Sequence, residues 1–553
     1  MKNHKITLFL FFFVILSLHA QKMEDYTNPW EGKFDNPKTV HLKVSIENLD
    51  SAKPRFKIAN DHTIVDYPFT TENQSNLKIT FSENQFFEGS FSANQKEING
   101  FIKSGLLLYH ITLNKGKDNI FTGYWNIVMV DELLSSKLYL SVENGNNDDY
   151  QAYSVFGDDR FTGTWCTDFQ KENNQISFTD FKTGLKFKGE LRLNEIKLGL
   201  FLGINLITQI NLTKSEKDWT TGGFSSANKK SKLQLLGLES LVKSDSLPNT
   251  HSILISEKGK IIYEHYFDGY TANLPHDMRS SSKSISSAFV GIAKDKSLFK
   301  NVDQSVFDFL PAKYQNQKDN LKEKITIQSL LTMSSGLDAI DYGINANPKS
   351  AAVEDNYQMA TDWTEAILSA PMIHPSSTKA NYGSANPYLL GIAMDSLVSE
   401  PLELFMDKNL FQKLAITDYI LQTDLKGNPY FGGGMYLTPK DILKFGELYL
   451  NKGKWNGQRI ISEQWVADSF KPYHVLENTV DKNAYGYLWW HHSYLINGKR
   501  IKTMEARGAG GQYIFIIPDL KSVVVITSGN YRNGKSQQPE KIFKNYILPQ
   551  LYK

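Results

Sequence analysis

The stretch Met278-Arg279-Ser280-Ser281-Ser282-Lys283-Ser284-Ile285 is the most informative part of this sequence. A helix that begins near Ser280 places Ser280 and Lys283 on one face, because residues i and i+3 are neighbours on a helix. The helix N-terminus adds positive potential and free N–H groups at the serine, where an oxyanion would form. A serine hydroxyl needs a base in contact with it, and a lysine in apolar surroundings becomes neutral enough to be that base. The spacing therefore predicts a nucleophilic serine paired with Lys283.

The Ser-x-x-Lys spacing alone does not identify a site, because the chain repeats it elsewhere. It recurs at Ser75/Lys78, Ser226/Lys229, Ser240/Lys243, Ser297/Lys300 and Ser376/Lys379. The context of Ser280 differs from these, since a predicted strand, turn and strand at 251–265 precede it and an apolar helical stretch at 288–293 follows it. We therefore predict that Ser280 is the nucleophile.

The region from 233 to 553 mixes helical and strand patterns. Helical periods lie at 284–295, 326–333, 362–369, 385–399 and 439–450, and a final helix is predicted at 539–551. Apolar strands lie at 251–256 and 261–265 and again late in the chain, at 513–517 and 523–527. Early and late strands around a helical middle predict an α+β domain with an antiparallel sheet flanked by helices, including a helical subdomain.

Residues 24–215 form a different, all-β module by their pattern. Apolar and polar residues alternate with period two at 40–46 and 137–142, as in half-buried strands. The module also repeats itself, because the segments 87–91 and 111–115 recur as 187–191 and 210–214, and 121–125 recurs as 161–165. We predict a duplicated antiparallel meander, closed as a barrel or folded as a sandwich. Its aromatic and glycine residues serve the core, or a ligand cavity or substrate-presenting surface.

The remaining segments complete a multidomain organisation. Residues 216–232 are rich in Gly, Ser and Thr and predict a flexible linker. Residues 1–20 have two lysines, a short apolar run and a small residue at position 20, which predicts a secretory signal peptide, with an uncleaved anchor as the alternative. The mature chain is therefore expected to be exported, periplasmic or secreted, without a stable membrane anchor.

Composition excludes several classes of protein. The chain has 553 residues, 41% of them apolar, so most of it should fold, and in more than one domain. Its 61 basic and 59 acidic residues nearly cancel, which gives no reason to expect a nucleic-acid partner. The single cysteine, Cys166, excludes an internal disulfide framework and any multi-cysteine metal site.

Several elements of the C-terminal part resemble the serine β-lactamase superfamily in its class C branch, with D-Ala-D-Ala carboxypeptidases, related esterases and 6-aminohexanoate-dimer hydrolases. After the Ser280–Lys283 pair come the similar segments Thr326–Leu337, Asn381–Ser384 with Asn386–Gly391, Gly434–Asp441 and Gly508–Gln512. They follow one another in the family's order over residues 235–553. The resemblance implies a β-lactamase/transpeptidase-like fold with no cofactor and no metal, and a small-molecule or peptide-like acyl substrate. It leaves the oligomeric state open.

The resemblance also implies a role for each site residue. Ser280 attacks a carbonyl, while Lys283 and Tyr382 share the proton transfers, and nearby cationic groups are expected to lower the pKa of Tyr382. The N–H groups of Ser280 and Ala509 would hold the oxyanion, with Gly508 and Gly510 beside them in the substrate-binding strand end. Ser384 would orient substrate or support Lys283. The alternatives are a core aromatic for Tyr382 and a helix N-cap for Ser384.

One segment departs from the family. Class C enzymes carry a cation on the edge strand that lines the site, and in the matching stretch 505–511 this chain has Ala506 and Arg507. Side chains alternate between the two faces of a strand, so the register decides which residue faces the serine. If Gly508 matches the glycine of the family's strand, Ala506 faces the serine and Arg507 points away from it. If residues 510–511 set the register instead, Arg507 faces inward. We favour the outward orientation, and with it an amide or ester substrate rather than a dedicated β-lactamase activity.

Two further expectations can be compared with the structure. A catalytically silent, penicillin-binding-like sensory or binding protein is the alternative to a serine hydrolase. No motif residue lies before the predicted linker, so the fragment 233–553 is expected to fold and react without the β module.

Overall fold

The computed structural model of this protein describes residues 23–27, 29–51, 53–70, 76–82, 84–127, 137–144, 150–156, 166–215, 233–531 and 533–552. The predicted signal peptide at 1–20, the predicted linker at 216–232 and the repeat segment 161–165 lie outside these residues. No helix within the described part of the chain is long and apolar enough to cross a membrane.

Sixteen strands and a first helix lead into the C-terminal part. The strands are β1 (Pro29–Lys33), β2 (His41–Glu47), β3 (Arg55–Ala59), β4 (Thr63–Pro68), β5 (Asn76–Ser82), β6 (Gln85–Phe91), β7 (Glu97–Ser104), β8 (Leu107–Lys115), β9 (Phe121–Asn126), β10 (Lys137–Asn144), β11 (Tyr150–Phe156), β12 (Cys166–Glu172), β13 (Gln175–Asp180), β14 (Lys186–Arg192), β15 (Glu195–Leu202) and β16 (Asn205–Lys214). The helix is α1 (Leu236–Lys243).

Thirteen further strands and ten helices follow. The strands are β17 (Thr250–Glu257), β18 (Lys260–Tyr266), β19 (His276–Asp277), β20 (Tyr419–Gln422), β21 (Met435–Leu437), β22 (Lys454–Trp455), β23 (Gln458–Arg459), β24 (His474–Val475), β25 (Ala484–Tyr485), β26 (Trp490–Ile496), β27 (Lys499–Gly508), β28 (Gln512–Ile517) and β29 (Ser522–Ser528). The helices are α2 (Lys283–Asp295), α3 (Ile327–Leu331), α4 (Glu354–Tyr357), α5 (Trp363–Ser369), α6 (Ala385–Leu397), α7 (Leu402–Met406), α8 (Pro439–Leu450), α9 (Glu463–Ser469), α10 (Gln538–Ile542) and α11 (Leu548–Leu551).

The repeated segments 87–91 and 111–115, and their counterparts 187–191 and 210–214, lie in two antiparallel meanders. Strands β5 to β8 form one antiparallel meander, and β13 to β16 form a second one. The matching segments fall on matching strands, since 87–91 lies in β6 and 187–191 lies in β14. In the second meander the buried residues alternate along β14, as in a strand with one buried face, whereas residues 87–90 in β6 of the first meander are buried on both faces.

The two meanders belong to two sheets that pack on one core. One sheet has the order β11-β10-β1-β16-β15-β14-β13-β12, and its two outermost strands come close enough for Tyr150 and Phe169 to lie with ring centroids 6.3 Å apart. The shared core includes Trp30 and Phe187 from this sheet and Phe56 and Phe87 from the other. The all-β module is therefore two packed sheets, the first of them curled toward a barrel.

The C-terminal part has the predicted α+β architecture. Its sheet has the order β18-β17-β29-β28-β27-β26-β25-β24, so the first strands of the domain pair with the last ones. The predicted helix at 439–450 is confirmed as α8, and Thr438 at its N-cap accepts a hydrogen bond from Asp441 N–H over 3.2 Å. Helices pack on both faces of this sheet and bury it in two separate clusters.

The second sheet of the module, which contains the β5 to β8 meander, continues into the C-terminal domain. Its path runs β19-β21-β20-β8-β9-β2-β3-β4, so strand β20 of the domain pairs directly with strand β8 of the module. The expectation that 233–553 folds alone took no account of this pairing, because nothing local in the sequence marks two strands so far apart as partners. Phe101 and Leu108 of the module also belong to the same core cluster as the helix α2 that follows the serine.

Candidate active site

The predicted nucleophile lies in a turn between strand β19 and helix α2. Residues Arg279–Ser282 form a 3-10 turn and the α-helix begins at Lys283, so the helix starts three residues later than Ser280. Arg279 has φ of 49°, an uncommon backbone conformation for a residue with a side chain. The carboxylate of Asp277 accepts the Arg279 N–H over 3.0 Å, and the Ser281 hydroxyl donates to the Met278 carbonyl over 2.7 Å. These bonds fix the turn that presents Ser280.

Lys283 contacts the nucleophile directly. Its Nζ donates to Ser280 Oγ over 2.7 Å and also to the Gly432 carbonyl. The side chain is almost fully buried, and this burial lowers the pKa of Lys283 although the charges of Glu354 and Asp341 oppose the shift. The geometry joins the hydroxyl to an amine that is biased toward its neutral, proton-accepting form.

Tyr382 completes a three-residue cluster around the hydroxyl. Lys283 Nζ lies 5.1 Å from the centroid of the Tyr382 ring, and the phenol shares a hydrogen bond with Ser280. Asn478 Oδ1 accepts the Tyr382 N–H over 2.8 Å, which fixes the backbone at this position. Burial raises the pKa of Tyr382, and the Ser280 hydrogen bond only partly opposes it. The expectation of a lowered pKa is wrong, because desolvation outweighs the Ser280 hydrogen bond and the negative charges of Asp341 and Glu354 raise the pKa further, so the phenol stays protonated.

A pair of carboxylates lies next to Lys283. Asp341 Oδ1 accepts the Glu354 N–H over 3.1 Å, and burial followed by the charge of Glu354 raises the pKa of Asp341 to about 6. Ser384 bridges the pair, since its N–H donates to Asp341 Oδ2 over 2.7 Å and its hydroxyl donates to Glu354 Oε2 over 3.1 Å. These two acids are functional candidates that the sequence analysis missed, because they lie in no recognisable motif.

Ser384 occupies the N-cap position of α6, but its side chain makes no capping hydrogen bond. The hydroxyl is fully buried and is directed to Glu354, so the structure connects Ser384 with the acids around Lys283 and not with a bound molecule. Of the two predicted roles, support of Lys283 agrees with this placement.

The strand end that carries the other predicted substrate-binding residues packs against the serine turn. A Cβ on Gly508 would lie 2.3 Å from the Met278 carbonyl and 3.1 Å from Ser281 N, so only glycine fits there. Gly510 has φ of 78° and lies against the Tyr531 ring. Ala509, between the two glycines, is exposed beside the turn. The structure thus packs Gly508 against the turn that presents Ser280, and Ala509 and Gly510 follow it in the chain.

Arg507 has the outward orientation. Its Nη2 lies 2.6 Å from Glu505 Oε2 and its Nη1 lies 3.7 Å from Glu540 Oε2, on the sheet face covered by the C-terminal helices. Ala506 is on the opposite face, in the core cluster that includes Tyr382. The position where class C enzymes carry a cation is therefore occupied by a methyl group.

Comparisons with known proteins identify the C-terminal part. A family model described as Beta-lactamase matches residues 249–542, slightly more than half of the 553 residues. A 6-aminohexanoate-dimer hydrolase of Paenarthrobacter ureafaciens is 21% identical over 287 residues, which are 50% of this chain and 71% of that protein.

Two solved structures are among the proteins that align with this chain. A penicillin-binding protein from Bacillus halodurans aligns with TM-score 0.43 and 15% identity over 55% of this chain and 98% of its own. An octameric penicillin-binding protein homologue from Pyrococcus abyssi aligns with TM-score 0.44 and 17% identity over 56% of this chain and 77% of its own.

Proposed function

The chain belongs to the β-lactamase family, and on that basis we propose that it is an exported serine hydrolase, related to class C enzymes, that cleaves an ester or amide through an acyl-serine intermediate. The predicted signal peptide at 1–20 supports export to the periplasm or beyond the cell. The relative named as a 6-aminohexanoate-dimer hydrolase supports hydrolysis as the reaction class.

The contact between Lys283 Nζ and Ser280 Oγ is the observation that carries this proposal. A buried amine with a lowered pKa accepts the hydroxyl proton as Ser280 Oγ forms a bond to the substrate carbonyl carbon. Protonated Tyr382 donates its proton to the leaving group and regains one from Lys283. Water then attacks the acyl-serine and regenerates the hydroxyl. A silent binding protein would have no need to hold these three side chains in contact.

The N–H groups of Ser280 and Ala509 are proposed as the oxyanion donors. Preorganised donors of this kind contribute about 3–4 kcal/mol each in other hydrolases. The close packing of Gly508 on the serine turn keeps the strand end beside Ser280, which supports this assignment.

A neutral substrate agrees best with the charges near the serine. Arg507 is paired with Glu505, and Arg279 lies 3.0 Å from Asp277 Oδ2, so both guanidinium groups already have carboxylate partners. Ala506 supplies no charge. A substrate carboxylate would have no cation of its own at the strand end, because pairing with either arginine requires breaking an existing ion pair.

Wild-type protein is expected to hydrolyse p-nitrophenyl acetate and butyrate with a kcat/KM at least about 10-fold above that for a carboxylate-bearing ester of the same size, since one unpaired charge costs 1–3 kcal/mol. Steady-state kinetics on such a matched pair measures the ratio. Arg507→Met is the control, and it should leave the ratio unchanged. A loss confined to the carboxylate-bearing ester in this variant would show that Arg507 binds substrate. No turnover and no labelling by a fluorophosphonate would contradict the proposed function.

The pH dependence should follow the charge on Lys283. Its neutral form is the base, so the acylation rate should rise with pH, with a midpoint below the ordinary lysine pKa. Asp341→Asn removes a negative charge that stabilises the protonated amine. The pKa of Lys283 should therefore fall, and the acylation rate should begin to rise at lower pH. The exposed neighbour Asp355 offers a matched control, because Asp355→Asn should leave the profile in place. Fluorophosphonate labelling rates across the pH range measure this shift. A rise that moves to higher pH in Asp341→Asn would contradict the prediction.

A further inference from the structure

A loop between strands β13 and β14 of the β module reaches Asp277, next to the serine turn. Asp180, at the start of this loop, accepts the N–H groups of Lys182 and Thr183 over 3.1 and 2.8 Å. Ser154 donates to the other oxygen of Asp180 over 2.5 Å. With all these groups buried, the loop is held in one conformation.

The turn between strands β7 and β8 of the module contacts the same loop. Leu106 N–H donates to the Lys182 carbonyl over 2.9 Å, and the Ser104 hydroxyl donates to the Thr183 carbonyl over 2.7 Å. Gly105 and Gly184 both have positive φ and approach so closely that a Cβ on Gly105 would lie 2.4 Å from Gly184 N. The two halves of the duplication therefore position Lys182 together.

The Lys182 side chain is directed into the C-terminal domain. Its Nζ lies 3.4 Å from Asp277 Oδ2, and both side chains are at least 94% buried. The ammonium also lies 5.0 Å from the centroid of the Tyr436 ring. Burial of two charges is unfavourable unless they are paired, so Lys182 and Asp277 depend on each other.

Asp277 connects Lys182 with the turn that presents Ser280. Its Oδ2 lies 3.0 Å from Arg279 Nε, and its Oδ1 accepts the Arg279 N–H that holds the left-handed residue directly before Ser280. Burial alone would raise the pKa of Asp277, but the charges of Arg279 and Lys182 outweigh it and lower the pKa, which keeps the carboxylate ionised. Such a backbone conformation costs about 1–3 kcal/mol and persists only when its surroundings hold it.

We propose that Lys182, supplied by the β module, is a positioning residue for Ser280 and acts through Asp277 on the turn that presents the hydroxyl. The inference rests on the proposed function for its kinetic consequence, and on the contacts alone for its structural consequence. None of the described residues of the β module is assigned to catalysis, but through Lys182 and Asp277 the module sets the position of Ser280.

Lys182→Met removes the charge and keeps the length of the side chain. The fluorophosphonate labelling rate of Ser280 should fall by at least 10-fold. The KM for ester hydrolysis should change less, because the variant disturbs the turn that presents Ser280 and not the surface that binds substrate. Hydrogen–deuterium exchange in peptides covering 277–284 should rise several-fold. Lys182→Arg keeps the charge and should restore both values toward wild type. The exposed Lys171 of the same module provides the control, since Lys171→Met should change neither.

The titration of Lys182 can be followed in the wild-type protein. Burial lowers the pKa of Lys182 to about 8, against the opposing charge of Asp277. The groups that face this amine are Asp277, Arg279, Asp180 and Tyr436. Above about pH 8 the amine loses its proton, so exchange in 277–284, corrected for the intrinsic rate, should increase there. Lys182→Arg, which stays charged, should not show this increase.

The outcomes separate the two proposals. If wild-type protein shows neither turnover nor labelling, the proposed function fails while the exchange measurement still decides the role of Lys182. Unchanged labelling and unchanged exchange in Lys182→Met would overturn the inference. So would an equal effect of Lys182→Met and Lys182→Arg on labelling in folded protein, because the charge would then be irrelevant.

Discussion

Ser280→Ala is expected to lower kcat for ester hydrolysis by about 10³-fold or more, as removal of a nucleophile does in other serine hydrolases. Without Oγ no acyl-enzyme forms, and only binding and the oxyanion donors remain to accelerate direct attack by water. The melting temperature should stay close to that of wild type, since Ser280 is only partly buried and its loss removes one small side chain.

Mass spectrometry after fluorophosphonate treatment identifies the reactive residue. Wild-type protein should carry the adduct on Ser280, and Ser280→Ala should carry none. Ser376→Ala is the matched control, because Ser376 and Lys379 have the same spacing in the chain and Lys379 Nζ lies 3.9 Å from Glu477 Oε2. An adduct on Ser376, or full activity in Ser280→Ala, would contradict the assignment of the nucleophile.

The fragment 233–553, expressed without the β module, is expected to be insoluble or unfolded and to show no turnover. Removal of the module leaves strand β20 with an unpaired edge, where residues 107–109 of β8 would otherwise pair with it. It also removes Lys182 and leaves Asp277 buried with one fewer cation. Breaking a buried ion pair costs about 3–5 kcal/mol, a large share of the 5–15 kcal/mol that stabilises an ordinary domain.

Solubility, circular dichroism and ester turnover of the fragment, measured beside the full chain, test this expectation. Co-expression of 23–215 as a separate chain is the informative companion, because it can restore the missing strand without a covalent connection. A soluble, monomeric and active fragment would show that the β8–β20 pairing is not needed for folding of the domain.

Local sequence patterns predicted the parts of the structure that depend on neighbours in the chain. The spacing of Ser280 and Lys283 places them in contact whether the first turn is 3-10 or α-helical, because either brings i and i+3 together. The N-cap at Thr438 is equally local. Gly508 ends strand β27, where its backbone packs on the serine turn, whereas the sequence alone left the register of this stretch open.

The features that the sequence did not reveal are long-range. Lys182 and Asp277 are 95 residues apart and lie on different modules, so no periodicity connects them. The acids Asp341 and Glu354 come together through the fold around Ser384. The direction of the Tyr382 pKa shift depends on burial and on the nearby carboxylates of Asp341 and Glu354, which are visible only once the packing is known.

The pairing of β8 with β20 also has a consequence for how the chain folds. Leu106 and Thr423, at the ends of these strands, are 317 residues apart, so this part of the sheet cannot close until most of the chain is available. Contacts of such long sequence separation slow folding, because the loop entropy is lost before the contacts form. During that interval residues 107–109 of the module present an open strand edge, which is the kind of surface that captures other unfolded chains. Refolding yield should therefore fall steeply as protein concentration rises, and a chaperone that covers strand edges should restore it.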